Sequence, residues 1–240
     1  MKKSHEYIMF PLDVADYYQA MKYVNLLKKH VGLFKVGLEL FISQGPDILK
    51  AIHETAGSKI FLDLKLHDIP ATMNRAFLAA SEFHPEFVTV HCDAGDGFLK
   101  EVAGINPGNT KILAVTLLTS LNRTNLIKLG YKREYTKDLS SLVLLRARLA
   151  KEAGCQGVVC SGHEVEMIKA ELGKEFIAVT PGIRPAWSLV EGDDQKRVVT
   201  PRKAVEKGAD YIVIGRPIRD AANPADAAKR VAEEIWAGIK

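Results

Sequence analysis

The densest group of residues that could do acid–base chemistry lies in the segment FLDLKLHDIPAT, residues 61–72. Asp63 and Lys65 are two residues apart in a predicted strand, so their side chains project from the same face. Asp68 follows just past the strand end. Carboxylates within about 4 to 6 Å favour the ammonium form of a lysine, whereas a Schiff-base lysine must be neutral. The pattern therefore predicts that Lys65 donates a proton to a developing carbanion, with Asp63 crowding an anionic leaving group.

Two more charges accompany apolar runs that we predict to be neighbouring strands. Lys35 interrupts the run LFKVGLEL, and Asp13 closes the first run of the chain. Because an unpaired buried lysine is costly, Lys35 needs a carboxylate partner. Solvated or salt-bridged strand-end charges would explain an isolated D-x-K-x-x-D, but Lys35 weakens that interpretation. The sequence thus predicts a cluster of alternating charges at one end of adjacent strands, with Asp68 as its fifth member.

The last third of the chain predicts an anion site. Arg184 ends the segment TPGIR, and Gly215 and Arg216 lie within VIGRPI. Glycine permits close backbone approach, and arginine binds phosphate oxygens in a bidentate manner. The fingerprints GxGxxG and GxxxxGK[ST] are absent, which removes the usual support for nicotinamide, flavin or ATP dependence. The histidines show neither H-x-H nor HExxH spacing, so the sequence predicts no metal site.

Eight short apolar runs supply the elements that would position these groups. The predicted strands cover residues 7–12, 33–36, 60–64, 87–90, 112–115, 157–160, 176–179 and 211–214. They are continuous and not alternating in polarity, which is typical of parallel strands covered on both faces. Helical patterns between them include residues 16–30, 70–83, 138–153, 163–172, 200–207 and 224–239.

This order of elements predicts an α/β fold, a single (β/α)8 TIM barrel that forms one domain over residues 1–240, and a doubly wound open sheet is the alternative. Two long loops, residues 117–137 and 181–199, are expected after strands five and seven. Active sites of such barrels lie at the carboxyl ends of the strands, and phosphate often binds after strands seven and eight. The charge cluster and the arginines are therefore expected to face the same opening.

Composition excludes several functional classes. The 240 residues are 47% hydrophobic and 26% charged, with a formal net charge of +4. No Lys/Arg run of five occurs and aromatic residues make up only 8%, so we expect a small anionic ligand and not a nucleic acid. The first apolar stretch is too short for a signal peptide or a membrane span, which predicts a cytoplasmic protein. The three cysteines form no CxxC pair.

Seven motifs in chain order resemble the orotidine 5′-phosphate decarboxylase family over essentially the whole sequence. They are PLD at Asp13, FKVG at Lys35, DLKLHDIPAT at 63–72, LLTS at Thr119, TPGIRP at 180–185, DQKR at Gln195, and VIGRPI at Gly215 and Arg216. The resemblance implies cofactor-free and metal-free conversion of orotidine 5′-phosphate to UMP and CO2 in pyrimidine synthesis. The sequence departs from the usual family pattern at Pro11, where alanine is common, at Ala71, where asparagine is common, and in a longer segment 185–195.

The resemblance also implies a role for each matching residue. Lys65 would protonate C6 of the pyrimidine as CO2 leaves, and Asp63 would press against the substrate carboxylate. Lys35 and Asp13 would hold the ribose hydroxyls, with Lys35 also paired to Asp63. Asp68, with Ile69 and Thr72, would reach the active site of a second subunit, which implies a homodimer with shared sites. Base contacts are implied for Thr119 and Pro181, and phosphate and lid contacts for Arg184, Gln195, Gly215 and Arg216.

Two alternatives remain at this stage. The related sugar-phosphate decarboxylases and hexulose-phosphate synthases share the barrel and the D-x-K-x-x-D motif but use Mg²⁺ to hold an enediolate. They carry a glutamate on strand two where this chain has Lys35, and a cation at that position would repel the metal. A non-catalytic, nucleotide-binding barrel is the second alternative, although burying several charges without a chemical role would only reduce stability.

Overall fold

Eight parallel strands close into one barrel, each paired with the next in chain order and the last paired with the first. The computed structural model describes residues 2–57, 59–108, 110–188 and 198–239. The strands are β1 Ile8–Pro11, β2 Leu33–Gly37, β3 Lys59–Leu66, β4 Phe87–His91, β5 Lys111–Val115, β6 Gly157–Val159, β7 Ile177–Thr180 and β8 Tyr211–Val213. The predicted (β/α)8 barrel is confirmed, and each strand lies within two residues of its predicted bounds.

Helices follow the strands around the outside of the barrel. They are α1 Tyr17–Leu27, α2 Leu38–Gln44, α3 Asp47–Ala56, α4 Pro70–Ser81, α5 Asp96–Ile105, α6 Arg123–Lys128, α7 Arg133–Lys137, α8 Leu139–Glu152, α9 Val165–Leu172, α10 Pro201–Glu206, α11 Arg216–Arg219 and α12 Pro224–Ile239, with short 3₁₀ turns at Ser4–Tyr7, Cys92–Ala94 and Ala186–Ser188. Among the described residues, no helix has both the length and the apolar character needed to cross a membrane.

The expected long connection after β5, residues 117–137, is present, but it contains two short helices, α6 and α7, that the sequence analysis did not predict. Asn122 caps α6 by accepting a hydrogen bond from the Asn125 amide, and the Asn125 side chain accepts one from the Asn122 amide in return. Both helices are too short to show a 3.6-residue apolar period. Within the predicted loop 181–199, the described part holds the turn Ala186–Ser188 and a bridge between Ile183 and Val199.

The strands are apolar on both faces because the barrel has two hydrophobic layers. Along β3, Ile60 and Leu62 pack into the large cluster shared with the helices. Phe61, between them, points inward. The inner cluster consists of Met9, Leu33, Phe61, Phe87, Leu113 and Val179, with Val159, Ile177, Tyr211 and Val213 packed against it. The inner cluster fills the barrel interior. The residues that could take part in chemistry therefore lie beyond this cluster, at the carboxyl ends of the strands.

Strand β3 is irregular where it reaches the barrel mouth. Leu62 pairs with Val88 of β4, but the next pairing joins Leu66 to Val90. Residues 63–65 therefore stand opposite the single residue Thr89. Such bulges redirect side chains and are common beside active sites. The bulge contains both Asp63 and Lys65.

Candidate active site

A cavity of about 350 Å³ opens at the carboxyl ends of the strands. This volume lies within the range of small-molecule pockets. Nine residues predicted to bind or transform a ligand line it, namely Asp13, Lys35, Asp63, Lys65, Thr119, Pro181, Arg184, Gly215 and Arg216. The fold therefore brings together residues that are up to 203 positions apart, from Asp13 to Arg216.

The alternating charges form a continuous chain of ion pairs. Lys35 Nζ lies 3.1 Å from Asp13 Oδ1 and 3.5 Å from Asp63 Oδ2. Lys65 Nζ lies 2.8 Å from the same Asp63 oxygen. Only 11% of the side-chain surface of Lys35 and of Asp63 is exposed, against 33% for Lys65. The prediction that Lys35 requires a carboxylate partner is confirmed, and Asp63 joins the two lysines.

A glycine leaves room for this arrangement. Gly37 ends β2, and a Cβ atom placed on it would lie 3.0 Å from Lys35 Nζ and 3.5 Å from Asp13 Oδ1. A side chain at position 37 would therefore require the Lys35 ammonium group to shift by a few tenths of an ångström. The glycine of the FKVG motif thus leaves space for the ammonium group of Lys35.

The electrostatics of the cluster keep Asp63 ionised. Burial alone would raise the pKa of the Asp63 carboxyl, but the Lys35 and Lys65 ammonium groups outweigh burial and lower the pKa below its ordinary value of 3.8. Hydrogen bonds from Lys65 and Thr89 act in the same direction. A carboxylate fixed beside the pocket, with a protonated lysine in contact, is an arrangement that can repel an anionic group and supply a proton.

This shift predicts how stability responds to acid. Asp63 protonates near pH 3.8 in the unfolded chain and at lower pH in the folded protein. Its contribution to the free energy of unfolding is therefore complete above that pH and decreases as the pH falls through the folded pKa. We expect the stability of the wild type relative to Asp63→Asn to be constant between about pH 7 and about pH 5 and to decrease as the pH falls below about 4, as measured by urea unfolding. A difference independent of pH would contradict the lowered pKa.

Three arginines also line the pocket. Arg184 is buried and donates from Nη1 to the carbonyl of Ile183 at 2.9 Å, whereas Arg216 is exposed at the start of α11. Arg219, three residues further along α11, also lines the pocket and donates from Nη1 to the carbonyl of Asp13 at 3.1 Å. Sequence reasoning missed Arg219, although the i, i+3 spacing of two arginines in RPIR was a usable signal.

Pro11 and Gly215 lie next to each other where β1 pairs with β8. A Cβ atom on Gly215 would lie 2.8 Å from Pro11 Cγ, so the proline ring occupies the space that a side chain would need. Pro11 also lines the pocket. The unusual proline therefore shapes the cavity, which the sequence analysis did not predict.

The segment after β3 lies at the protein surface, outside the pocket of its own chain. Asp68 is exposed and is not among the pocket-lining residues, so its position beside Lys65 within one chain stays a prediction. Its Oδ1 accepts a 2.6 Å hydrogen bond from the Ile69 amide, because the chain turns there into α4 at Pro70. Ile69 is 66% exposed, and neither Ile69 nor Thr72 lines the pocket. Gln195 lies outside the described residues.

The sequence matches a family model over nearly its whole length. Residues 6–231 match the model described as the orotidine 5′-phosphate decarboxylase / HUMPS family. The chain belongs to this family.

Similar sequences in this family include two proteins that are named orotidine 5′-phosphate decarboxylase. The one from Desulfosudis oleivorans is 47% identical over 98% of this chain and 95% of its own length. The one from Syntrophus aciditrophicus is 45% identical over 99% of this chain and 96% of its own length.

Solved structures of family members share the architecture. Orotidine 5′-phosphate decarboxylase from Lactobacillus acidophilus matches with a TM-score of 0.81 and 35% identity, over 95% of this chain and 98% of that one. The protein of the same name from Pyrococcus horikoshii matches with a TM-score of 0.75 and 26% identity, over 95% and 99% of the two chains. The family resemblance stated from seven motifs is confirmed.

Proposed function

We propose that this protein catalyses the decarboxylation of orotidine 5′-phosphate to UMP and CO2 in pyrimidine biosynthesis, without a cofactor. The observation that carries the proposal is the ion-paired Lys35–Asp63–Lys65 array, which faces a pocket that also presents Arg184 and Arg216. The names of the family members support the substrate. A single-domain, cytoplasmic enzyme is part of the same proposal.

The reaction follows from the charges in the pocket. When the bond from C6 to the carboxylate breaks, CO2 leaves and the electron pair stays on C6. The Lys65 ammonium group gives its proton to that carbon, which forms the C6–H bond of UMP. Lys65 then regains a proton from solvent. Asp63 remains ionised beside the substrate carboxylate, and their repulsion decreases as CO2 departs, so the contact favours the transition state over the bound substrate.

The remaining residues bind the parts of the substrate that do not react. Lys35 and Asp13 hold the ribose hydroxyls, and Thr119 and Pro181 contact the base. Binding energy from the distant phosphate can be used to hold the reacting carboxylate against Asp63. Phosphate and lid contacts are proposed for Arg184, Gln195, Gly215 and Arg216.

The Mg²⁺-dependent branch of the family is the alternative, and Lys35 argues against it. Asp13 and Asp63, the carboxylates among the described residues that line the pocket, both pair with the Lys35 ammonium group. A divalent cation would have to compete with that ammonium group for its oxygen ligands. Over the described ranges, no group of three His, Cys, Asp or Glu side chains is close enough to hold a metal ion.

The decisive experiment follows the ultraviolet absorbance of orotidine 5′-phosphate with purified protein. We expect turnover that is unchanged in excess EDTA, because the proposed acid and the proposed carboxylate belong to the chain itself. Activity that disappears in EDTA and returns with Mg²⁺ would favour the sugar-phosphate branch. Absence of turnover under both conditions would contradict the proposed function.

Removing a phosphate contact should affect only the phosphorylated substrate. We expect Arg216→Ala to reduce kcat/KM for orotidine 5′-phosphate by the equivalent of about 2 to 4 kcal/mol, the range for losing a charge-assisted hydrogen bond. The same variant should leave kcat/KM for orotidine, which lacks the phosphate, nearly unchanged. Equal losses on both substrates would assign Arg216 to the fold and not to phosphate binding.

A homodimer with shared sites completes the proposal. Asp68, Ile69 and Thr72 lie outside the pocket of their own chain, so they are available to a second copy. Ile69 is 66% exposed and Leu78 of α4 is 42% exposed. On α2, which follows the neighbouring strand β2, Ile42 is 77% exposed. These exposed apolar side chains support burial against another subunit.

A further inference from the structure

Thr89 is a fully buried polar residue in the middle of β4, and the sequence analysis did not select it. None of its surface is exposed. Its Oγ1 accepts a 2.8 Å hydrogen bond from the Lys65 amide. The same hydroxyl donates a 3.1 Å hydrogen bond to Asp63 Oδ1. One side chain on β4 therefore contacts both residues that the proposed reaction uses on β3.

The backbone of β3 explains why Lys65 needs this contact. Three residues, 63–65, stand opposite Thr89 alone, so the regular strand-to-strand hydrogen bonding is interrupted. Lys65 adopts a φ of 51°, in the left-handed region that residues other than glycine rarely occupy. Its amide bonds to the threonine hydroxyl in place of a carbonyl on β4. The hydroxyl therefore anchors the amide of a residue in a strained conformation at the point where strand pairing is irregular.

The carboxylate of Asp63 is held from two sides. Its Oδ2 faces the lysines, at 2.8 Å from Lys65 Nζ and 3.5 Å from Lys35 Nζ. Its Oδ1 is held by Thr89. The two lysines contact the same oxygen, so they leave the rotation of the carboxyl group less restricted than contacts on both oxygens do. The threonine supplies the second contact.

We propose that Thr89 is a positioning residue that holds the Asp63 carboxylate and the Lys65 backbone in the geometry required for decarboxylation. It touches no part of the pocket itself, since it is not among the lining residues. It acts through Asp63 and Lys65. The kinetic consequence rests on the proposed function, whereas the effect on Asp63 does not.

The test replaces the hydroxyl while keeping the volume. Displacing a reacting group by about 1 Å can cost about 100-fold in rate. We therefore expect Thr89→Val to lower kcat for orotidine 5′-phosphate by about 10- to 100-fold, with KM and the affinity for UMP changed by less than about threefold. Thr89→Ser, which keeps the hydroxyl, should recover most of the rate.

Thr110→Val is the matched control. Thr110 is 2% exposed and donates a 3.0 Å hydrogen bond to the Pro85 carbonyl, at the opposite end of the barrel from the site. This variant loses a buried hydroxyl as Thr89→Val does, but we expect its kcat to stay within about twofold of the wild type. A similar fall in kcat for both variants would show a general loss of stability and would overturn the positioning role.

A second measurement does not depend on turnover. NMR titration of the Asp63 carboxyl should show a higher pKa in Thr89→Val than in the wild type, because a hydrogen bond to the ionised form is lost. If Thr89→Val does not fold, Thr89→Ser and Thr89→Ala provide the same comparison at smaller volume. Unchanged titration together with unchanged kcat would overturn the proposal. If the wild type fails to decarboxylate orotidine 5′-phosphate, the proposed function falls, and the titration still decides the role of Thr89.

Discussion

Replacing Lys65 by alanine is expected to reduce kcat for orotidine 5′-phosphate by about 10³- to 10⁴-fold, the upper part of the range for losing a positioned proton donor. The substitution removes the proton that C6 requires and leaves Asp63 with Lys35 as its remaining cationic contact. Affinity for substrate should fall less than turnover, since the phosphate and ribose contacts remain. Steady-state kinetics on the variant, with UMP binding measured separately, checks both expectations.

Two further variants show whether charge or proton transfer matters. Lys65→Arg keeps a cation beside Asp63 but cannot release a proton at neutral pH, so we expect it to be nearly as inactive as Lys65→Ala. Lys100→Ala removes an exposed lysine that is paired with Asp96 on α5, and it should retain wild-type kcat. Wild-type kcat in Lys65→Ala would show that another group protonates the product.

Mixing two inactive variants is expected to restore activity if Asp68 acts in a neighbouring subunit. In that case each site takes Lys65 from one chain and Asp68 from the other. A dimer of one Lys65→Ala chain and one Asp68→Ala chain then has one site with both substitutions and one site with neither. Random exchange in an equimolar mixture makes about half of the dimers hybrid, so about a quarter of all sites should be intact. The exposed position of Asp68, outside the pocket of its own chain, is the structural reason for expecting this result.

The control is an equimolar mixture of Lys65→Ala and Asp63→Ala. These two residues form an ion pair within one chain, so every site in that mixture carries a lesion and should stay inactive. Each parent variant is first shown to be folded, dimeric and nearly inactive, and subunit exchange is followed with an affinity tag. If exchange occurs and the first mixture is as inactive as the control, Asp68 acts in its own subunit.

The elements of the fold could be predicted because their signals are local. Each strand is a short apolar run that packs on both faces, and this requirement is visible in neighbouring residues of the chain. Helices α6 and α7 were missed because five or six residues are too few to show a helical period. The sequence also predicted that Lys35 pairs with a carboxylate, because an unpaired ammonium group is unfavourable in the interior of any fold.

By itself, the sequence determined that strands and helices alternate in an α/β fold, with a barrel favoured over a doubly wound open sheet. It also predicted that four charged residues gather at one end of adjacent strands, namely Asp13, Lys35, Asp63 and Lys65. The tertiary structure decided which atoms meet. The β3 bulge, the contact of Thr89 with two site residues and the outward position of Asp68 depend on how β3 pairs with β4 and turns into α4. These features depend on contacts between residues that are distant in sequence, such as Asp63 and Thr89, so no single run of residues shows them.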